Sequence, residues 1–462
     1  MAEKFSFEPT DLKQLKDNYD VIIIGSGGAG LTSAIQAYEL GLSPVILEKM
    51  DKLGGNTTRA SSGMNAAETF VQLNHKIVDS FADFYNETFV GGGKMNNPEL
   101  LKFFTEHGAW AIDWLDQHDI KLDDLTITGG MKTMRTHRPS SLAPIGGYLV
   151  TELLKYIAKY QIPLFDNIKV TDLLTDNDQI VGVKAFSNRE IKIQAKAVVL
   201  ATGGFGAGKD LLAQYRSDLL NLRTTNQPGA TGDGLKLAQK VGAKLVDMDQ
   251  VQVHLTVQQD TPHAFLIGEA VRGEGAILVN NSGQRFVNEL DTRKNVTQAI
   301  DDLGGTGAYL IFDQSIRNRV KAIEFYDHIG LVETGQTLSA LAETIKVDIN
   351  SLQSTVNNWN QAVKIKNDQD FGRKTGMERD ISEAPFFAIH IAPAVHYTMG
   401  GVAINHQTQV LDEANQPIAG LFAAGEVAGG LHGNNRIGGN SIAETVVFGR
   451  QAGQQVYKYL KG

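Results

Sequence analysis

A short apolar stretch followed by a glycine-rich turn is the feature that most constrains the fold of this chain. Residues 21–24 read Val-Ile-Ile-Ile, a run typical of a buried parallel strand. The turn that follows has the spacing G-x-G-x-x-G, with glycines at Gly25, Gly27 and Gly30. In this pattern the first glycine permits a tight turn, the second lets a pyrophosphate approach the backbone, and the third lets the next helix pack on the strand. The pattern therefore predicts a βα unit that binds a dinucleotide.

The residues after the turn favour the same interpretation. Residues 31–40 predict a helix that Gly41 ends, and residues 44–48 (Pro-Val-Ile-Leu-Glu) predict a second strand. Phosphates would lie at the N-terminus of the helix, where free N–H groups and the helix dipole favour negative charge. Glu48 follows the glycines by about 20 residues, the position from which an acid binds the ribose hydroxyls. The alternative is a glycine-rich turn that binds no ligand.

Two further strand-and-turn segments indicate a cofactor larger than NAD. Residues 197–206 (Ala-Val-Val-Leu-Ala-Thr-Gly-Gly-Phe-Gly) and residues 420–428 (Gly-Leu-Phe-Ala-Ala-Gly-Glu-Val-Ala) each predict an apolar strand that runs into a glycine turn. A simple NAD-binding domain does not need the late second segment, whereas FAD held from both ends of the chain does. Residues 54–65, rich in glycine and hydroxyl side chains, would lie against a flat ring system. The alternative for them is a solvated surface loop.

Composition limits the class of protein. A chain of 462 residues exceeds what one hydrophobic core usually serves, so we expect more than one domain. The net charge of −9 disfavours nucleic acid as a partner. Cysteine is absent, which excludes disulfides, thiolate metal sites and iron–sulfur clusters, and we predict no metal. Because no apolar run reaches about 18 residues and the N-terminus is polar, we expect a cytoplasmic protein without a membrane span.

The order of patterns predicts the domain organisation. Residues 1–18 predict a short helical leader, residues 68–160 have mainly helical periodicity, and residues 163–205 alternate as strands do. The fold class predicted is α/β, a Rossmann-like FAD-binding domain interrupted by an inserted α+β capping domain. We expect the FAD-binding domain at residues 1–247 and 393–462, and the capping domain, which would close over the substrate, at residues 248–392.

Several charged or titratable residues lie in apolar surroundings, where a plain surface role is less expected. These residues are His254, Glu269, Arg272, Arg293, His396 and Arg436. Taken singly, each is more often a structural residue whose polar atoms are satisfied within the fold. Spacing alone does not assemble them into a site.

Taken together, the motifs resemble the flavoprotein part of soluble fumarate reductases of the flavocytochrome c type. The wider superfamily includes succinate dehydrogenase flavoprotein subunits, L-aspartate oxidase, urocanate reductase and ketosteroid dehydrogenases. The resemblance covers nearly the whole chain, in family order. It is carried by residues 25–30 with Glu48, and by residues 54–57 (Gly-Gly-Asn-Thr), 64–67 (Met-Asn-Ala-Ala), 269–273 (Glu-Ala-Val-Arg-Gly), 285–289 (Arg-Phe-Val-Asn-Glu), 396–401 (His-Tyr-Thr-Met-Gly-Gly) and 438–441 (Gly-Gly-Asn-Ser).

The resemblance implies a role for each matching residue. Arg293 would be the proton donor, and Glu269 and Arg272 would be the relay that returns a proton to it. The residues implied to bind a dicarboxylate substrate are His254, His396, Arg436, Gly268 and Gly439. The residues implied to bind FAD are Gly25, Gly27, Ala29, Gly30, Glu48, Asn56, Thr57, Ser61, Ser62, Gly63, Val170, Gly203, Asp233, Glu426, Ser441 and Ile442.

The implied activity is reduction of the C=C bond of fumarate to succinate, with hydride from flavin N5 and a proton from Arg293. Negative charge builds on the neighbouring carbon and its carboxylate, where arginine and histidine stabilise it, and exclusion of water strengthens the effect. An arginine acid is unusual because its pKa exceeds 12, so it needs a strongly basic acceptor and a carboxylate relay.

The sequence departs from the family pattern in three places. The reductases commonly have a threonine where this chain has Gly268, and its hydroxyl contacts one substrate carboxylate. Glycine lacks that hydroxyl and leaves room for a substrate with a different second substituent. The histidine that links flavin covalently in membrane-complex relatives is absent from the region of Asn56 and Thr57, so we expect non-covalent FAD. The haem and FMN-carrying domains of other relatives are missing, so we expect an external electron donor, a protein or reduced flavin.

Alternatives remain open at this point. One is a reductase of another 2-enoate, such as urocanate or an arylacrylate, and an aspartate oxidase is a more distant possibility. A ketosteroid dehydrogenase would not need side chains that bind carboxylates. A flavin-carrying electron-transfer subunit would have no substrate site of its own.

Overall fold

The computed structural model describes residues 5–291, 293–305 and 307–462, and the side chains of Arg293 and Lys294 lie outside that description. The strands, in chain order, are β1 (Asn18–Ile24), β2 (Pro44–Leu47), β3 (Met64–Asn65), β4 (Asp124–Thr126), β5 (Thr136–Arg138), β6 (Leu164–Phe165), β7 (Lys169–Asp176), β8 (Gln179–Phe186), β9 (Glu190–Leu200), β10 (Arg223–Thr224), β11 (Leu245–Val246), β12 (Val251–Gln258), β13 (Ile277–Val279), β14 (Ala308–Asp313), β15 (Glu333–Gly335), β16 (Phe386–Thr398), β17 (Gly401–Val402), β18 (Gln409–Leu411) and β19 (Pro417–Ala423).

The α-helices are also numbered in chain order. They are α1 (Gly28–Glu39), α2 (Phe70–Asn74), α3 (Phe81–Gly91), α4 (Pro98–Gln117), α5 (Ile145–Lys159), α6 (Lys209–Tyr215), α7 (Asp233–Lys240), α8 (Ala270–Gly273), α9 (Arg293–Asp301), α10 (Gln314–Arg319), α11 (Ala322–His328), α12 (Leu338–Ile345), α13 (Ile349–Ile365) and α14 (Asn440–Lys461). Among the described residues, none of these helices is both long and apolar enough to cross a lipid bilayer.

The chain divides into two compact units. Unit 1 comprises Met1–Leu220, Asn226–Gln252 and Tyr397–Gly462, and unit 2 comprises Asn221–Thr225 and Val253–His396. Each unit is built around its own sheet. This confirms the predicted fold class, an α/β fold of Rossmann type interrupted by an inserted α+β region.

The main sheet of unit 1 has the strand order β18-β19-β9-β1-β2-β6, and β7 and β8 extend it as a meander from β9. Strand β1 lies between β9 and β2, parallel to both. Its residues Val21, Ile22 and Ile23 are fully buried, which stabilises the fold by roughly 1.5–3 kcal/mol for each side chain. The carboxyl ends of the parallel strands therefore meet at one edge of the sheet, where the glycine turn begins.

The sheet of unit 2 is organised on β16. Strands β10, β12, β14 and β15 all pair with β16, and β13 pairs with β14. Helices α12 and α13 contribute Leu341, Leu352 and Trp359 to the buried core of this unit. Strand β10 belongs to unit 2 although it precedes the main insertion in the chain, an excursion that the sequence patterns did not predict.

The sequence predicted most of the elements that flank the glycine turns. Helix α1 begins at Gly28 rather than at residue 31, so the last three residues of the glycine turn, residues 28–30, already belong to the helix. The prediction of a helical leader at residues 1–18 was wrong for the described residues, because residues 5–17 contain only the 3-10 turn Leu12–Gln14, none of whose residues is buried, and Asn18 already begins β1. A short helix that buries no apolar face has little to stabilise it.

Candidate functional site

The glycine turn after β1 has the backbone that the sequence pattern predicts. Gly25 has a φ of +108°, and a Cβ atom at Gly30 would lie 2.0 Å from the carbonyl oxygen of Gly25, so both positions require glycine. A Cβ at Gly27 would instead meet only the hydroxyl of Thr57, at 3.8 Å. The protein thus leaves space in front of Gly27, where a pyrophosphate would approach the backbone.

Helix α1 begins in this turn without a side-chain cap. Its N-cap residue is Gly27, and the Gly28 N–H donates to the hydroxyl oxygen of Thr57 at 2.9 Å. The first turn of a helix carries N–H groups that have no partner within the helix and attract anions. The Thr57 hydroxyl lies beside these N–H groups, so it can donate its proton to a phosphate bound at the start of α1.

Glu48 lies at the end of β2 and reaches back to the glycine turn. Its carboxylate accepts hydrogen bonds from the Ser26 amide (2.9 Å), the Ser26 hydroxyl (2.7 Å) and the Met50 amide (2.9 Å). These bonds hold the carboxylate in place, and its oxygens can still accept a further hydrogen bond. An acid that binds ribose hydroxyls needs both properties. Lys49, its neighbour, forms an ion pair with Asp233 at 2.9 Å. Burial acts to raise the pKa of Asp233, but Lys49 lowers it overall.

A second polar cluster lies where β9 and β19 end. Glu426 accepts hydrogen bonds from the Thr398 amide (3.1 Å) and from the side-chain amide of Asn56 (3.4 Å). Burial raises the pKa of Glu426, while these hydrogen bonds act to lower it. The side-chain amide of Asn56 also donates to Asn226 at 2.5 Å. Asn226 was not predicted from the sequence, because the strand before it, β10, has only two residues and Asn226 matches no motif.

Helix α14 presents a second N-terminus in unit 1. Gly439 is its N-cap residue, with a φ of +85° and no side-chain cap, and the first turn carries Ser441 and Ile442. A Cβ at Gly439 would lie 2.4 Å from the side-chain oxygen of Asn65. Asn65 in turn donates to the Gly438 carbonyl and to the Asn440 side chain, both at 2.7 Å. Asn65 belongs to the motif at residues 64–67, for which the resemblance implies no role. Its hydrogen bonds fix the start of α14.

The remaining predicted FAD residues lie in unit 1 with different exposures. Ala29, Gly63 and Val170 are buried, whereas Ser61 and Ser62 are exposed. A Cβ at Gly203, where φ is +71°, would meet no atom within 4 Å. Unit 1 therefore brings together the N-termini of α1 and α14, both with glycine as the N-cap residue, an anchored acid at a strand end and open glycine backbone. This set of donors and acceptors fits a dinucleotide.

Arg436, also in unit 1, is buried, and hydrogen bonds hold its terminal guanidinium nitrogens and its backbone carbonyl. Its Nη2 donates to the side-chain oxygen of Gln252 at 3.0 Å, and the Gln252 amide donates back to the Arg436 carbonyl at 2.8 Å. Its guanidinium lies over the ring of Tyr397, 4.8 Å from the centroid. Burial and the hydrogen-bonded Glu444 raise the pKa of Tyr397, so this ring stays neutral. Gln252 and Tyr397 are functional candidates that the sequence did not single out.

The two predicted histidines lie close together in unit 2. The ring centroids of His254, on β12, and His396, on β16, are 5.6 Å apart. The Thr256 amide donates to Nδ1 of His254 at 3.3 Å, which places the proton of the neutral ring on Nε2. Nδ1 of His396 is within hydrogen-bond distance (2.8 Å) of the Thr225 hydroxyl. His254 therefore presents Nε2–H as a donor, which suits a carboxylate ligand.

The predicted relay residues are arranged around the short helix α8. Glu269 is its N-cap residue, and a Glu269 oxygen lies 4.0 Å from Nη2 of Arg272, whose side chain is buried. Gly268 donates its N–H to the hydroxyl of Tyr326 at 3.1 Å. Arg293 begins α9, but its side chain lies outside the described residues, so its predicted role rests on the sequence.

Comparison with known proteins identifies the family of this chain. The family model described as the FAD binding domain matches residues 20–442. The chain is 46% identical to the NADH:fumarate oxidoreductase of Klebsiella pneumoniae over 447 residues, which are 96% of this chain and 48% of that protein. It is 39% identical to the fumarate reductase (cytochrome) of Shewanella frigidimarina, with 96% of this chain and 78% of that protein covered.

A solved structure, the open conformation of a flavocytochrome c3 fumarate reductase, has the same fold. The TM-score is 0.89 at 37% identity, and the match covers 97% of this chain and 79% of that one. The protein is therefore a flavoprotein oxidoreductase with FAD as its cofactor. Within that class, the chain belongs to the FAD binding domain family, in the group that contains the soluble fumarate reductases. It spans about half the length of the Klebsiella relative.

Proposed function

We propose that this protein reduces the C=C bond of fumarate to succinate. The observation that carries the proposal is the double hydrogen bond between Gln252 and Arg436, which holds a buried cation within the unit that binds FAD. A buried guanidinium held in this way suits a carboxylate ligand, because Arg–carboxylate hydrogen bonds are charge-assisted and can be bidentate. The two histidines of unit 2 add donors of the type that a second carboxylate group needs.

The proposed roles follow from these chemical types. FAD, when bound, supplies a hydride to one alkene carbon. Arg436, His254 and His396 bind the substrate carboxylates and stabilise the negative charge that develops on them. Arg293 donates the proton to the other alkene carbon, and Glu269 and Arg272 return a proton to Arg293. We propose further that the segment at residues 248–392 caps the substrate.

A turnover assay tests the proposal. Under anaerobic conditions, a chemically reduced viologen dye would supply electrons, and succinate formed from fumarate would be quantified. We expect one succinate for each two electrons consumed. Consumption of electrons without succinate, or no consumption above that of FAD-depleted protein, would contradict the proposed activity.

A second candidate activity, reduction of another 2-enoate, is favoured by one observation at Gly268. A Cβ at this position would meet only the Tyr326 hydroxyl, at 3.5 Å, and its backbone does not require glycine. The space that a larger side chain would fill is therefore open. A substrate with a different second substituent, such as urocanate or an arylacrylate, would use that space.

The substitution Gly268→Thr distinguishes these two activities. The threonine hydroxyl would add a hydrogen bond to a carboxylate, worth about 1.5–3 kcal/mol, so we expect kcat/KM for fumarate to rise about tenfold relative to that for a monocarboxylate enoate. Gly268→Val is the matched control, because it has the same shape without the hydroxyl. Equal changes in the two variants would mean that only volume matters at residue 268.

We propose that FAD is bound without a covalent link, since neither Asn56 nor Thr57 supplies the histidine that would form one. Acid precipitation should then release the flavin and leave a yellow supernatant over a colourless pellet. The check is the flavin absorbance of both fractions after washing. Yellow colour that stays with the washed pellet would show that the link exists.

The electron donor and the location remain proposals from the sequence. We propose an external donor, either a redox protein or reduced free flavin, and a cytoplasmic location. An alternative function, electron transfer by a subunit without a substrate site, would leave the buried Arg436 and the paired histidines without a role.

A further inference from the structure

Four charged side chains form a buried network in unit 2 that the proposed reaction does not use. The side chains of Glu289 and Arg373 are fully buried, and those of Asp368 and Arg285 are 1% and 5% exposed. Arg285 donates to both carboxylate oxygens of Glu289 at 2.9 Å and to Asp368 at 3.0 and 3.2 Å. Arg373 donates to Glu289 at 3.0 Å. Burial of four ions costs desolvation energy that their attraction offsets only with excellent geometry.

Trp359 lies against both arginines of the network. The guanidinium carbons of Arg285 and Arg373 are 4.7 and 4.6 Å from centroids of its ring system. The two arginines therefore share an aromatic neighbour, a carboxylate partner and near-complete burial. They differ in what their remaining N–H groups bind.

Arg373 makes five side-chain hydrogen bonds, which equals the number of N–H donors of a guanidinium. One goes to Glu289, and the other four go to backbone carbonyl oxygens. These acceptors are Arg272 (2.7 Å), Gly376 (2.8 Å), Ala276 (2.9 Å) and Thr375 (3.0 Å). Arg285, in contrast, donates only to carboxylates among the contacts described above. Arg373 thus ties the segment that carries Arg272 to the segment at residues 373–376.

Both ends of Arg272 are bound to this network. Its carbonyl oxygen accepts from Arg373, and its Nη1 donates to the carbonyl oxygen of Glu289. Arg272 lies in α8, a helix of four residues that cannot hold its shape by its own hydrogen bonds. The geometry of the Glu269–Arg272 pair therefore depends on groups outside the helix.

We propose that Arg373 is a positioning residue for the proton relay, because it fixes the backbone of Arg272 and thereby the Glu269–Arg272 pair. The proposal rests on the proposed function, in which that pair returns a proton to Arg293. A relay works only while its donors and acceptors stay in hydrogen-bond reach, and a displacement of about 1 Å can cost up to about 10²-fold in rate.

The substitution Arg373→Lys tests the proposal. Lysine keeps the charge and can pair with Glu289, but its three donors cannot replace five hydrogen bonds. We expect kcat for fumarate to fall about tenfold, with KM and FAD content close to those of the wild type. The solvent isotope effect on kcat should rise, because proton delivery becomes slower than the other steps.

Arg285→Lys is the matched control. Like Arg373, Arg285 has a buried side chain, pairs with Glu289 and lies against Trp359. Among the described residues, however, the side chain of Arg285 makes no hydrogen bond to Arg272. We expect it to lower the melting temperature by about as much as Arg373→Lys and to keep kcat within about threefold of the wild type. If Arg373→Lys does not fold, Arg373→Gln takes its place, with Arg285→Gln as its control. Both variants lose one charge of the network, but only Arg373→Gln removes the hydrogen bond to the Arg272 carbonyl oxygen.

The outcomes separate the two proposals. Wild-type protein that does not reduce fumarate would refute the proposed function and, with it, the positioning role. Active wild type with equal kcat losses in Arg373→Lys and Arg285→Lys, or with no loss in either, would refute the positioning role alone. A loss in Arg373→Lys or Arg373→Gln that the matched Arg285 variant does not show, with KM and FAD content unchanged, would support it.

Discussion

Replacing Arg293 with lysine should lower the rate of fumarate reduction to less than about a tenth of the wild-type rate, and Arg293→Ala should lower it further. The loss of a positioned acid typically costs about 10²–10⁴-fold. Lysine keeps the charge but loses the planar guanidinium and its geometry. FAD should stay bound, because Arg293 is not among the residues predicted to contact it. The measurements are steady-state turnover and the ratio of flavin to protein.

Lys294 provides the control for this substitution. It is the next cation along the chain and has no predicted role, so Lys294→Ala should keep turnover within about twofold of the wild type. A similar loss in both variants would assign the effect to general charge at the start of α9. An Arg293→Lys variant that keeps more than a tenth of the wild-type rate would remove Arg293 as the proton donor.

The substitution Arg436→Met should raise KM for fumarate and lower kcat together. The Arg436 cation is buried, and we propose that it pairs with a substrate carboxylate. Removal of one partner of a buried, hydrogen-bonded ion pair costs about 3–5 kcal/mol, much of it because the other charge, here the carboxylate, is left unpaired. We therefore expect kcat/KM to fall by at least about 10²-fold. The change in KM should be smaller for a monocarboxylate enoate whose carboxylate is bound by the histidines.

The alternative role of Arg436 is to hold its own loop, since its Nη1 donates to the Ile437 carbonyl at 3.2 Å. Asn435→Ala tests this alternative, because Asn435 ties the same loop to the Gly91 carbonyl at 2.9 Å and to Gln252 at 2.8 Å. If Arg436 only holds the loop, the two variants should resemble each other, and Arg436→Met should lose FAD or stability with fumarate KM unchanged per bound flavin.

The sequence predicted the fold class because the relevant signals are local. An apolar run, a glycine spacing and an acid at the next strand end all lie within about 30 residues, and β1, α1 and β2 follow from them. The leader at residues 5–18 was mispredicted for a related reason. Its pattern suited a helix, but the 3-10 turn Leu12–Gln14 buries none of its residues, and such a turn has little to extend it into a helix.

The contacts that hold the candidate side chains were beyond sequence analysis. Gln252 and Arg436 are 184 residues apart, and Arg373 and Arg272 are 101 residues apart. No periodicity connects residues at such separations, and a glutamine near the start of a strand has no motif of its own. The resemblance named Arg272 and Arg436, whereas the residues that orient them became visible only from the folded chain. The catalytic roles themselves stay predictions.

The central claim is that this flavoprotein transfers electrons to an unsaturated acid, and anaerobic reoxidation tests it most directly. The bound flavin is reduced with dithionite, excess reductant is removed, and fumarate, urocanate, an arylacrylate and a monocarboxylate enoate are added separately while the flavin spectrum is followed. We predict that fumarate restores the oxidised spectrum fastest and at one molecule per flavin. If none of these acids reoxidises the flavin, the central claim is contradicted, and the assignment of a substrate site to Arg436, His254 and His396 is wrong.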